Sequence, residues 1–365
     1  MSADRLRLLV LHAEHEDNET FSYQRGWPRA FARDARYECS LVNLQGNRWR
    51  RGLQVALQLR RARPDAIVLL HSVFSNACFL NDWARAAVRS ARVPKVFFIG
   101  NEYKLMPEKM ALADELGIAL LVSQSHSEAV HALYRERLGC AVTGIPNTGF
   151  DPEVFRPVRP RPERPIDLGY RSSPSPLYLG HDERETIAER FHVAGRRRGL
   201  VLDLSLRSED RLPEARWAEF LNRCKGQLGA EAGGDFFELT DATRHAVEAY
   251  RSEHPEATLD EVRKLFFADR RRLPMRIISG RNVEAAATGT VQLLLAGEYG
   301  GYFQPGVHYI AVENDYANLE VVLDQFQDES LCERIAGAAR DLALAELSYA
   351  RLLDRFDAAL RKVLP

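Results

Sequence analysis

No apolar run in the sequence approaches the roughly 18–20 residues that cross a bilayer as a helix, so a transmembrane helix is excluded. Leu6–Leu11 is short and apolar and is followed by no small-residue cleavage site, so it reads as a strand and not as a signal peptide. Cysteine is scarce: Cys39, Cys78, Cys140, Cys224 and Cys332 are odd in number, scattered and without C-x-x-C spacing. That excludes a zinc ribbon and a disulfide framework, and the thiols read as reduced cysteines of a cytoplasmic protein. A surplus of one charge is missing too. The 50 Lys+Arg stand against 51 Asp+Glu, a formal net charge of -1, so no global field draws in nucleic acid and no nucleic-acid partner is expected. No G-x-G-x-x-G follows the first strand and no G-x-x-x-x-G-K-[ST] occurs, which argues against a nicotinamide dehydrogenase and a P-loop enzyme. The absence of G-x-S-x-G argues against a nucleophile-elbow hydrolase.

What is present is a chain of 365 residues, 45% hydrophobic and 28% charged, enough for two domains with substantial cores. Over the first 150 or so residues, short apolar runs alternate with longer amphipathic ones. Strands are expected at Leu6–Leu11, Ser40–Leu44, Ala66–His71, Lys95–Ile99, Ile118–Val122 and Ala141–Ile145, and helices at Gly52–Arg63, Leu80–Ser90 and Ser127–Leu138. Runs such as Val96-Phe97-Phe98-Ile99 are apolar throughout, the pattern of a parallel strand covered on both faces. Arg156–Pro165 (RPVRPRPERP) is too proline-rich for a helix or a central strand and reads as a linker. The alternation then resumes. Strands are expected at Asp167–Tyr170, Leu177–Leu179, Gly199–Ser205, Gln227–Gly229, Thr290–Leu295 and Tyr309–Val312, and helices at Glu183–Ala194, Glu214–Arg223, Thr240–Ser252, Leu259–Arg270 and Glu284–Ala287. A helical stretch runs from about Glu329 to Val363. The expected fold class is α/β, with two Rossmann-like doubly wound domains facing a cleft and a C-terminal helix.

Two segments carry most of the functional signal. In Ile145–Pro157 (IPNTGFDPEVFRP) a strand exit turns through Pro146 and Asn147, and Asp151-Pro152 starts a helical turn. In Ser279–Ile310 a helix bearing Glu284 leads to Gly289, a buried strand and the Gly297–Gly301 loop. Both resemble segments of the GT-B glycosyltransferases: the first their interdomain run, the second the E-A-x-A-x-G pattern of retaining members. Ile99–Lys104, Leu116–His126, Ile166–Gly180, Leu202–Leu206, Trp217–Gly234 and His308–Val312 extend the likeness, which is similar to the bacterial CgeB-like, group 1 glycosyltransferases of surface-polysaccharide assembly.

The resemblance implies an acceptor domain over residues 1–155, a linker at 156–165, a nucleotide-sugar domain over 166–340 and a C-terminal helix, 341–365, that packs back on the first domain. It implies transfer of a sugar from a nucleotide-sugar donor to a glycan or lipid-linked acceptor. Retention is the expected outcome, left open by Arg276, which stands where many members carry a second glutamate. Arg276 would suit a diphosphate or an acidic sugar instead. Glu284 is expected on the ribose hydroxyls. Arg171, Arg207 and Arg281 are the diphosphate candidates, joined on the donor by Asn282, Gly300 and Gly301. His71, Glu102 and Glu231 are the candidate catalytic groups, and Tyr23, Gln24, Arg25 and Trp27 the acceptor contacts. His12, Glu14, His15, Glu16 and Asp17 have a metal-like composition without ordered spacing, and no D-x-D occurs, so no metal and no cofactor are expected. Arg48, Trp49, Arg50 and Arg51 are candidates for transient inner-membrane contact. A non-catalytic binding subunit and a nucleotide-sugar epimerase are the rival readings on the same fold.

Overall fold

The computed structural model describes residues 5–14 and 22–365. It divides into two compact units, Met1–Asn147 with Phe237–Ala242 and Tyr349–Pro365, and Thr148–Phe236 with Thr243–Ser348.

The first unit holds β1 (Leu6–His12), α1 (Ser22–Arg33), β2 (Tyr37–Asn43), α2 (Arg48–Ala62), β3 (Ala66–Leu69), α3 (Asp82–Ser90), β4 (Lys95–Phe98), α4 (Met106–Leu116), β5 (Leu120–Ser123), α5 (Glu128–Leu138) and β6 (Ala141–Gly144). Its six strands form one parallel sheet in the order β2-β1-β3-β4-β5-β6. β3, β4 and β5 are buried along their whole length, which is why they read as unbroken apolar runs. α5 ends where Gly139 adopts a positive φ of 65°, as its sequence implies.

The second unit continues with β7 (Ile166–Arg171), α6 (Glu183–Arg197), β8 (Leu202–Ser205), α7 (Glu214–Arg223), β9 (Cys224–Gly229), β10 (Ala232–Gly234), α8 (Ala242–Glu253), α9 (Leu259–Phe266), β11 (Met275–Ile277), α10 (Gly280–Ala287), β12 (Val291–Leu295), β13 (Ile310–Val312), α11 (Leu319–Gln327) and α12 (Glu329–Glu346). Its five-stranded parallel sheet has the order β13-β12-β9-β7-β8, and β10 and β11 form a separate antiparallel pair. Residues 156–165 belong to this unit. Arg161–Glu163 is a short 3-10 turn, and the buried Arg164 guanidinium donates to the carbonyls of Leu221, Cys224 and Thr288 and to Thr290 Oγ1.

Three expectations about elements need correction. Leu177–Leu179 is a 3-10 turn between Pro176 and Gly180, not a strand. The helical C-terminus is not continuous: α12 stops at Glu346, and α13 (Tyr349–Leu360) begins three residues later as part of the first unit. α1 was not expected, because Gly26 and Pro28 lie inside it. Gly26 is needed there: a Cβ would sit 2.1 Å from the Tyr349 ring of α13.

Candidate functional site

In a parallel α/β sheet, the loops leaving the carboxyl ends of the strands build the binding crevice. In the second unit those loops carry a group of arginines that differ sharply in their partners. Arg171, the last residue of β7, donates to the carbonyls of Tyr170 and Asp203, both at 2.9 Å, and to Asp203 Oδ1 at 2.8 Å. It also lies over the Phe220 ring, 4.3 Å from the centroid. It is a structural tie between β7 and β8. Arg207 is exposed and pairs with Glu209. Arg281, in the first turn of α10, has no hydrogen-bond or ion-pair partner among the described residues. Burial pushes its pKa below the usual arginine value; Tyr170 and Glu284 oppose this, and the like charges of Arg184 and Arg211 add to it. Arg184 sits in the first turn of α6, and its buried Nε has no partner. Arg211 follows β8 and bonds Ser173 Oγ.

A guanidinium that has no protein partner and lies near two more cations is left for an anion to neutralise. Of the three arginines expected on a diphosphate, only Arg281 has this character. Arg184 and Arg211 are its companions, and no motif marks them. The only sequence signal was their place, in loops and first turns that follow strands.

α10 is held in place locally. Ser279 caps it in a capping box with Asn282, whose side chain also bonds Gln292. Asn282 therefore serves the helix and is not free for a donor. Gly280 lets the helix start approach Thr148, where a Cβ would sit 2.8 Å from its methyl carbon. Glu284, one turn on and 4% exposed, accepts a hydrogen bond from Trp217 Nε1 at 2.7 Å. Gly300 and Gly301 follow β12 with φ of 65° and 79° and no side chain to crowd the loop.

Glu231 follows β9. Its Oε1 accepts the Tyr299 amide at 2.6 Å, and its other oxygen packs where Gly297 leaves room: a Cβ there would lie 2.6 Å from it. Burial pushes its carboxyl up to about 7. Arg276, on β11, is clamped by both oxygens of Glu183 at 2.8 Å each and by Asp235 Oδ1 at 2.8 Å. Burial opposes its charge, but the two carboxylates more than offset this and raise its pKa. The guanidinium is spent inside the protein, which corrects the expectation that it could take a diphosphate or an acidic sugar. His181 completes the cluster, bonding the Gly233 carbonyl at 3.0 Å.

In the first unit, the expected groups are mostly enclosed. His71 Nε2 and Trp27 Nε1 both donate to the Asn147 carbonyl, at 3.1 and 2.6 Å. Burial holds His71 down to about 4, so it is neutral near pH 7, with Nδ1 as an unpartnered acceptor. Trp27 is fully buried against Phe31, Phe98 and Tyr349, a core residue and not an acceptor contact. Tyr23 stacks on His71 with centroids 4.8 Å apart, and Arg25 pairs with Glu14 at 2.8 Å. Gln24 is half-buried.

Glu102 is fully enclosed and takes three donors: Ser123 Oγ, the Gln124 amide and the Tyr134 hydroxyl, at 2.6–2.7 Å. Reaching a substrate would break these bonds, so it is a structural carboxylate and not a base. Nearby, Lys109 Nζ donates to the carbonyls of Gly100, Asn101 and Lys104, which ties down the loop after β4. Burial pushes Lys109 down to about 7. His15, Glu16 and Asp17 lie outside the described residues. Among the described residues no cluster of His, Cys, Asp and Glu could hold a metal, and no helix is long and apolar enough to cross a membrane.

No protein-family model matches the chain, and no curated protein does. Solved structures do. Anabaena HepE in complex with UDP and glucose aligns at 12% identity over 98% of this chain and 100% of that one, with a TM-score of 0.54. Sucrose-phosphate synthase of Thermosynechococcus elongatus aligns at 10% over 98% and 99%, with a TM-score of 0.52. A glycosyltransferase of Rickettsia africae aligns at 11% over 99% of each chain, with a TM-score of 0.51. The chain has the GT-B fold, built of two Rossmann-like units, as its sequence implies.

Proposed function

We propose that the protein is a glycosyltransferase that moves a sugar from a nucleoside diphosphate sugar, bound by the second unit, to a glycan or lipid-linked acceptor held by the first. The observation that carries this is the half-buried Arg281, without a hydrogen-bond or ion-pair partner among the described residues and near Arg184 and Arg211, one turn before Glu284, at the carboxyl edge of a Rossmann-like sheet. The cations and the first turn of α10 neutralise the leaving diphosphate, where charge develops as the glycosidic bond breaks. Glu284 accepts from the vicinal ribose hydroxyls. The glycine turn at Gly300 and Gly301 lets the backbone approach the donor. Glu231, poised near neutrality, orients a donor-sugar hydroxyl. Uridine diphosphate is the first nucleotide to test, because HepE is bound to UDP and to UDP-glucose.

Glu102 is enclosed and His71, pushed down to about 4, is a weak base, so neither group expected as a base in the first unit is a strong one. That favours attack on the same face as the departing diphosphate, with retention. Surface-polysaccharide assembly is the setting the sequence likeness supports.

The test is turnover. Incubation with UDP-sugars and an acceptor mixture from a polysaccharide-producing bacterium should release UDP only when donor and acceptor are both present. Conversion of donor alone into its epimer would replace this reading with an epimerase. Tight UDP binding without release would leave a binding subunit.

A further inference from the structure

The surface of α2 and α3 is unlike the rest of the first unit. Trp49 is 71% exposed and Trp83 62%, and their rings meet edge to face with centroids 6.0 Å apart. Gly52 allows this close approach of the two helices, since a Cβ would sit 2.7 Å from Asn81 and 3.1 Å from Trp83 Cβ. Leu53 and Leu57 continue the apolar stripe down α2 at four-residue spacing, 54% and 40% exposed. Scattered exposed leucines need no explanation, but two tryptophans in contact with each other, with two leucines following Trp49 on the same helix face, concentrate apolar surface.

Its rim is cationic. Arg50, Arg60 and Arg61 on α2 and Arg89 on α3 are exposed, and among the described residues none of them pairs with an acidic side chain. α2 contains no acidic residue, and α3 contains only Asp82. At the far end of α2 a groove of about 760 Å³ is lined by Arg60, Arg63 and Arg92 beside Leu59 and Val93, with Asp65 there paired to Arg7. The arrangement suits an amphipathic helix lying in an interface plane, with tryptophans at headgroup depth and arginines on lipid phosphates.

We propose that the α2–α3 face docks the protein on an anionic lipid surface. Charge decides the occupant. The two helices carry one acidic residue, Asp82, against several exposed arginines, and an anionic leaflet meets the apolar side chains and the arginines together. Trp49 and Trp83 stand near the start of their helices, at the end of the sheet where the strands β2 and β3 finish. Docking there would bring a lipid-linked acceptor to the loops that leave the sheet. The inference does not depend on the transferase reading.

The experiment is co-sedimentation of the full chain with phosphatidylcholine vesicles, with and without phosphatidylglycerol. The wild type should pellet with the anionic vesicles and not with the neutral ones, and its tryptophan emission should shift to the blue. Trp49→Ser/Trp83→Ser should weaken this at least about tenfold, and Arg50→Glu/Arg60→Glu/Arg61→Glu about a hundredfold. Both variants should keep the wild-type melting temperature and nucleotide affinity, because every substituted side chain is exposed. The proposal is overturned if the wild type does not pellet, if it pellets equally with neutral vesicles, or if the variants pellet like the wild type. It is also overturned if the tryptophan variant instead abolishes self-association in gel filtration.

Discussion

Replacing Arg281 by alanine should weaken the binding of a nucleoside diphosphate about a hundredfold while leaving the unliganded protein as stable as before. The two effects have one cause. A charge-assisted hydrogen bond contributes about 1.5–3 kcal/mol, so losing two of them at the diphosphate costs roughly two decades of affinity or more. In the empty protein the same guanidinium is half-buried, makes no hydrogen bond or ion pair among the described residues and lies near two like charges, so its removal costs the fold little. A group kept in such a state serves something other than stability. Arg171→Ala gives the contrast. It strips three hydrogen bonds and the contact over Phe220, and should lower the melting temperature even without ligand. Thermal denaturation of both variants, with and without UDP, separates the cases. If Arg281→Ala melts early without ligand, the residue is structural and the site is elsewhere.

Glu284→Ala should behave differently again, losing ligand and stability together. Trp217 Nε1 is buried, and its partner in the structure is Glu284 Oε2. Leaving that indole N–H unsatisfied costs about 1–3 kcal/mol, a fall of several degrees in melting temperature for a unit of this size. Donor affinity should fall as well, since the ribose loses an acceptor for both hydroxyls. Glu284→Gln keeps an oxygen for the indole and the shape of the side chain. It should restore most of the stability but not the affinity. If the glutamine variant binds the donor like the wild type, Glu284 only supports Trp217 and does not touch ribose.

Much of the fold is written in the hydrophobic pattern. The central strands β3, β4 and β5 of the first unit read directly because burial on both faces favours apolar runs such as Ile67-Val68-Leu69. The misreadings have local causes. α1 hides behind Gly26 and Pro28, and Gly26 is there for the Tyr349 ring, more than 300 positions along the chain. Leu177–Leu179 is apolar enough for a strand, but Pro176 and Gly180 close it into a turn. The stop between α12 and α13, at Leu347-Ser348, carries neither glycine nor proline.

The candidate site was legible only in part. Glu284 is a candidate because its local string resembles a known pattern, and Arg281 because it lies beside that string at the start of the helix. Arg171 could not be told from Arg281 by sequence, since the difference lies in Asp203 and Phe220, which sit on other elements. Arg276 is the sharpest case. Its fate depends on Glu183, 93 residues away, and on Asp235, and only the folded chain brings both carboxylates to it. Arg184 and Arg211 have no motif at all. Pairing across the fold, not residue type, decides which cation is free for a ligand.

The central claim is that an anionic leaving group sits on Arg281, Arg184 and Arg211. Calorimetric titration of the wild-type chain with UDP and, in parallel, with uridine tests it most directly. The account predicts that UDP binds at least about a hundredfold more tightly, the difference carried by the diphosphate. Equal affinity for the two, or binding of neither at millimolar concentration, would contradict it.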